Sequence, residues 1–77
     1  MKETLKKIFS DVFQVDPAEV NSQFSTETSQ KWDSLGHLRL VYAIEQAFRV
    51  QLTTQEILEM LNFQKVMEIL EQHQITE

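Results

Sequence analysis

Leu5, Ile8, Phe9, Val12 and Phe13 recur at i, i+3, i+4, i+7 and i+8. At 3.6 residues per turn that spacing gathers them on one side of a helix and leaves Lys2, Lys6, Lys7 and Asp11 on the other. Helical spacing returns from Leu35 to Phe48 and from Phe63 to Leu70, and nowhere do apolar and polar residues alternate as in a half-buried strand. The 77 residues include one glycine, Gly36, and one proline, Pro17, too few turn formers for a β-rich fold. Helices this short are marginal alone in water, so their apolar stripes must cover one another. The expectation is an all-α fold: a small four-helix bundle with three longer helices, one short helix and a long loop after the first helix.

Local signals set the boundaries. The first helix should run from about Glu3 to Gln14 and stop before Asp16-Pro17, because a proline disfavours helix in the residue before it. Asp16-Pro17-Ala18-Glu19 reads as a cap, a proline at the first position and an acid in the first turn, so one short turn should follow and end by Asn21. Asn21 to Lys31 is polar and rich in serine and threonine, with Phe24 as its apolar anchor to the core. Asp33 is the expected N-cap of the next helix. Leu35, Leu38, Val41, Ile44 or Glu45, and Phe48 trace the face expected to be buried, broadened by Leu40, Tyr42 and Ala43, with the end near Phe48 or Arg49. Thr53-Thr54-Gln55-Glu56 has the form of a capping box. It opens a short helix whose apolar face is Ile57, Leu58 and Leu61. Asn62 can cap the last helix, whose inward positions are Phe63, Val66, Met67, Ile69 and Leu70. Gln72 to Glu77 should fray.

The absence of cysteine removes disulfides, thiolate metal sites and thiol nucleophiles. The net charge of −5 disfavours nucleic acid and anionic membranes as partners. Seven acids face three bases from Asp33 onward, and five face four before it. An acidic second half suits protein partners with basic docking faces, or serves solubility alone. No apolar run approaches the ~20 residues of a membrane span. Met1-Lys2-Glu3 opens no signal-peptide core, so a cytoplasmic monomer is expected.

Ser34 is the residue that most invites chemistry. It stands in the first turn of a helix, beside a carboxylate and ahead of an apolar stripe. Helix N-termini carry unpaired N–H groups and a partial positive charge that favour phosphate. A nucleophilic serine would need a base and an oxyanion hole. His37 lies one turn on, but no G-x-S-x-G elbow surrounds the serine. The plainest alternative is that Ser34 merely helps Asp33 cap the helix.

Asp33-Ser34-Leu35 resembles the Asp-Ser-Leu motif of acyl carrier proteins. The resemblance extends over nearly the whole chain: the first helix, the long loop with Phe24, the motif, the helix Leu38–Phe48 with Val41, Ala43, Ile44 and Glu45, the short helix and the last helix follow the family's order. It implies that residues 1–77 form a single acyl-carrier domain. It further implies that a phosphopantetheinyl transferase attaches 4′-phosphopantetheine from coenzyme A to Ser34, with Asp33 and Leu35 completing the attachment motif. Acyl groups would then ride on the arm as thioesters between loading and transferring enzymes. The chain itself would be a substrate of enzymes, with no catalytic or metal-ligating residue of its own. Asp33 would cap the helix or orient the transferase's metal centre. An acyl chain would enter between Val41, Ile57, Leu61, Val66 and Met67, unless these simply form solid core.

Several positions depart from the fatty-acid carriers. Trp32 stands where a small residue is common before the motif. Gly36-His37 replaces an acid and a small polar residue, Arg39 a typical glutamate, and Gln46-Ala47 typical acids. The acidic docking stripe is reduced to Glu45, Glu56 and Glu59, with Arg39 as a cation at the docking helix. Trp32 is a candidate anchor for the loop or contact for the arm, and His37 a solvated residue or contact for the arm's phosphate. His73 is expected at the surface at a helix end. The Trp-Asp-Ser-Leu-Gly-His-Leu form resembles specialised carriers of secondary-metabolite, polyketide or surface-polysaccharide pathways. The alternatives are a peptidyl or D-alanyl carrier, an unmodified helical adaptor, and a Ser-His hydrolase.

Overall fold

The computed structural model describes residues 1–75. Among them lie four α-helices: α1 (Lys2–Phe13), α2 (Ser34–Phe48), α3 (Thr54–Glu59) and α4 (Phe63–Gln72), with one 3-10 turn at Pro17–Glu19. The expected all-α bundle with one short helix is therefore present. Thr76 and Glu77, part of the tail expected to fray, lie outside the described residues.

Each helix starts where its cap dictates. Asp16 accepts from the Ala18 N–H and Glu19 reaches back to the Asp16 N–H, closing a capping box. Asp33 Oδ1 accepts from the Gly36 N–H at 2.8 Å. Thr53 and Glu56 form the second capping box, and Asn62 Oδ1 accepts from the Lys65 N–H at 2.7 Å. These side chains satisfy amide groups that the first helical turn leaves unpaired. Helices α1 and α2 end on Gln14 and Arg49 in the left-handed region, at φ 56° and 55°.

The core is one cluster built around aromatic rings. Phe9 meets Phe13, Phe24, Trp32 and Phe63 edge-on, with ring centroids 5.1–5.8 Å apart. Such edge-to-face contacts set the electropositive rim of one ring on the face of the next. Leu5, Val20, Leu40, Ile44, Met60, Val66, Ile69 and Leu70 complete the packing. Phe24 pins the long loop as expected. The loop is also stitched to the α3–α4 junction by Thr26 N–H to Leu61 C=O at 3.0 Å and Phe63 N–H to Phe24 C=O at 2.8 Å.

Helix α2 is rotated from the expected orientation. Leu38, expected inside, is 64% exposed, and Leu35 and Tyr42 are 57% and 66% exposed. The row that faces inward is Gly36, Leu40 and Ile44, with Val41 beside it. Gly36 is the cause. A Cβ there would lie 2.6 Å from the Lys31 carbonyl oxygen and 3.0 Å from the Phe13 ring. The hydrogen side chain lets the backbone of α2 come that close, and the i, i+4, i+8 row follows it inward. Phe48 is half-buried against the core, as expected in direction. Helix α3 behaves similarly: Leu58 and Leu61, expected to form its buried face, are 67% and 55% exposed.

Candidate functional site

Ser34 is the first residue of α2 and is exposed. Its hydroxyl makes no hydrogen bond among the described residues, because Asp33 caps the helix. The Asp33 carbonyl accepts from the His37 N–H at 2.8 Å. The amides of Ser34 and Leu35 have no hydrogen-bond partner among the described residues. A free hydroxyl thus stands beside two free N–H groups at the positive end of a 15-residue helix, a setting that suits a phosphate ester. Asp33 turns Oδ1 into the helix, while Oδ2 has no hydrogen-bond partner among the described residues.

A groove of 590 Å³ opens beside Ser34, lined by Thr26, Trp32, Asp33, His37, Leu38, Ile57, Leu58 and Leu61. The rotation of α2 and the outward leucines of α3 build it: Leu38 comes from α2, and Ile57, Leu58 and Leu61 from α3 and its end. The large apolar side chains left exposed are Leu35, Leu38, Tyr42, Leu58 and Leu61. All belong to α2 or to α3 and its end. Apolar surface concentrated at one place marks an interaction site more often than scattered leucines do.

Trp32 and His37, the two candidate arm contacts, prove to be joined to each other. Trp32 is 4% exposed, stacks on Phe24 at 5.9 Å and so anchors the loop, while its edge reaches the groove. Its Nε1–H donates to His37 Nδ1 at 2.9 Å. With Nδ1 accepting, the ring carries its proton on Nε2, which donates to the Ile57 carbonyl at 2.8 Å. The expected solvated His37 is therefore a half-buried bridge between α2 and α3. Both its nitrogens are occupied, so neither is open to serve as a base toward Ser34.

The docking residues are distributed unevenly. Arg39 is exposed and forms no ion pair or hydrogen bond among the described residues. Glu45 is half-buried, and its Oε2 accepts from the Leu52 N–H at 2.9 Å, tying the end of α2 to the following connection. Glu56 Oε1 accepts from the Thr53 N–H at 2.9 Å, and Oε2 lies 2.9 Å from His73 Nε2. The Thr53 amide and then His73 hold the Glu56 carboxyl below the usual glutamate range. His73, expected at the surface, thus joins the end of α4 to the start of α3. Glu59 is exposed and accepts from Gln55 Nε2 at 2.7 Å.

Of the suggested acyl-lining residues, Ile57 and Leu61 reach the groove. Val41 and Val66 are core residues, and Met67 packs half-buried against the core. The sequence reading missed the Trp32–His37–Ile57 bridge. Trp32 and His37 are five residues apart across a helix start, a separation that no local rule pairs, and the acceptor is a main-chain oxygen. The single glycine was the available clue to the rotation that brings them together. No family model and no curated protein matches the chain.

Proposed function

We propose that this chain is an acyl carrier protein that bears 4′-phosphopantetheine on Ser34 and serves a specialised lipid, polyketide or surface-polysaccharide pathway. The observation that carries the reading is the Ser34 hydroxyl. It is exposed and unbonded among the described residues, while Asp33 alone performs the capping that a structural serine would share. The motif Asp33-Ser34-Leu35 and the order of the helices resemble that family. In loading, a bond forms between Ser34 Oγ and the β-phosphorus of coenzyme A. The pyrophosphate bond breaks, adenosine 3′,5′-bisphosphate leaves, and the hydroxyl proton passes to a base of the transferase or to solvent.

The residues fit the group. The free amides of Ser34 and Leu35 can bond the phosphate oxygens. Asp33 Oδ2 can orient the metal of the transferase, and the groove of Leu38, Ile57, Leu58 and Leu61 can shelter the apolar part of the arm or its cargo. The bound arm supplies a thiol that holds an acyl group as a thioester. A carrier role, rather than a Ser-His hydrolase, is favoured by the occupation of both His37 nitrogens.

The partners are the transferase and the enzymes that load and receive acyl groups. Leu35, Leu38, Arg39 and Tyr42 form the outer face of α2 that such enzymes would meet, while Glu45 and Glu56 are engaged within the chain. A partner offering apolar surface and a carboxylate opposite Arg39 fits this face better than a basic one. The experiment is a thiol count. The chain has no cysteine, so incubation with coenzyme A and a broad-specificity phosphopantetheinyl transferase should raise the thiol content from zero to one per chain. A content that stays at zero rejects the reading.

A further inference from the structure

We propose that His37 is a positioning residue: the hydrogen-bond chain Trp32–His37–Ile57 holds α3 at a fixed separation from α2, and so keeps open the groove that, on the carrier reading above, seats the apolar group carried on Ser34. The identity of the seated group rests on the carrier reading, but the positioning does not.

Helix α3 needs an external hold. It has six residues and none of them is fully buried, so apolar contact alone anchors it weakly. Its frame is pinned at the ends, by Leu52 and Met60 in the core, by Glu56 to His73 at one end and by Thr26 to Leu61 at the other. Among the described residues, His37 Nε2 to the Ile57 carbonyl is the one hydrogen bond that runs from α2 to α3 itself.

The acceptor is a carbonyl near the helix end, where partners run short. Continuing the helix would bring it the Leu61 N–H, but Leu61 turns its N–H to Glu59 instead. The Met60 N–H reaches the Ile57 carbonyl only at 3.4 Å. His37 supplies the strong donor.

Trp32 makes the donor definite. A neutral imidazole can carry its hydrogen on either nitrogen, and the Trp32 Nε1–H aimed at Nδ1 selects the form with hydrogen on Nε2. Trp32 is itself held by Phe9, Phe13 and Phe24. The position of α3 is thus referred, through one imidazole, to the aromatic cluster of the core. Both groove walls meet in this chain: Leu38 follows His37 on α2, and Leu58 and Leu61 flank the α3 end that it holds.

The test compares wild type, His37→Leu, His37→Gln and Val66→Ala by hydrogen exchange and NMR, each unloaded and after loading with decanoyl-coenzyme A and a broad-specificity transferase. Glutamine can accept from Trp32 and donate to Ile57; leucine can do neither. In unloaded His37→Leu, which loses both hydrogen bonds, exchange of the Trp32 indole proton and of the α3 amides should each quicken about tenfold, on the order of one lost hydrogen bond at each place, relative to α1 and α4. His37→Gln should restore wild-type exchange, and Val66→Ala should speed all helices together. In the loaded proteins, contacts from the decanoyl chain to Leu58 and Leu61 should appear in wild type, His37→Gln and Val66→Ala and vanish in His37→Leu.

The positioning is overturned if His37→Leu leaves α3 exchange unchanged or raises it only in step with α1 and α4. The seat is overturned if the loaded wild type shows no contacts to Leu58 and Leu61. Intact mass separates these failures from failure of the carrier reading, which would show as no addition at Ser34, and the unloaded exchange data decide the positioning in that case too.

Discussion

Replacing Leu40 and Leu38 separately by alanine tests the orientation of α2. Leu40 is fully buried and Leu38 is 64% exposed, so of two leucines in one helix turn only Leu40 should cost much stability when removed. Removing a buried leucine side chain costs the transfer energy of its methyl and methylene groups plus a cavity term, about 2–5 kcal/mol in total. A domain of this length has about 4–12 kcal/mol of stability at ~0.05–0.15 kcal/mol per residue, so Leu40→Ala should remove a large fraction of it. At about 4–8 °C per kcal/mol, its Tm should fall by roughly 8–40 °C. Leu38→Ala removes mainly solvent-facing surface and gains slightly in helix propensity, so its stability should stay within about 0.5 kcal/mol of wild type. Urea melts followed by far-ultraviolet circular dichroism and by Trp32 fluorescence measure both, with unchanged slopes confirming that the shift is one of stability. If Leu38→Ala cost as much as Leu40→Ala, the rotation of α2, and with it the groove, would be wrong.

Gly36→Ala should destabilise by about 1–3 kcal/mol through overpacking against the Lys31 carbonyl and Phe13, against a helix-propensity gain of about 1 kcal/mol; a raised Tm would contradict the close approach. Arg49→Gly should stabilise by about 0.5–1 kcal/mol, because glycine relieves a left-handed cap that costs about 1–2 kcal/mol in other residues and loses part of this gain to chain entropy; thermal melts decide it. Glu56 titrates below the usual glutamate range when folded, so it adds stability above the ordinary glutamate value that is lost as pH falls through its lowered one. Glu56→Gln should therefore flatten that stretch of the stability–pH curve, and a curve that keeps the wild-type slope would contradict the assignment. Arg39→Glu should leave the Tm within about 0.5 kcal/mol equivalent and improve turnover of the loaded carrier by a ketosynthase of fatty acid synthesis, where equal turnover would remove Arg39 from the docking face.

Caps were legible in the sequence because each is a short-range arrangement: Asp16, Asp33, Thr53 and Asn62 all act within three residues. The α1 and α4 stripes were legible for a similar reason, since each helix has one apolar and one polar side. Helix α2 is apolar nearly all round, with Leu35, Leu38, Leu40, Val41, Tyr42, Ala43 and Ile44, so periodicity alone could not choose its inward row. The choice lies in a close approach of Gly36 to the Lys31 carbonyl in the preceding loop and to the Phe13 ring at the end of α1, the second of which joins segments far apart in sequence. Ser34 stood out from its motif. The groove and the bridge through His37 did not, because they depend on the rotation of α2 and on a main-chain oxygen that no side-chain pattern reveals.

The carrier assignment is tested most directly by intact mass of the wild type and of Ser34→Ala after incubation with coenzyme A, magnesium and a broad-specificity phosphopantetheinyl transferase. The wild type should gain the mass of one phosphopantetheine. Ser34→Ala should gain none while melting within about 0.5 kcal/mol of wild type, because Asp33 still caps the helix. A wild type that gains nothing, or an alanine variant that is modified in full, would contradict the assignment of Ser34 as the site of the arm.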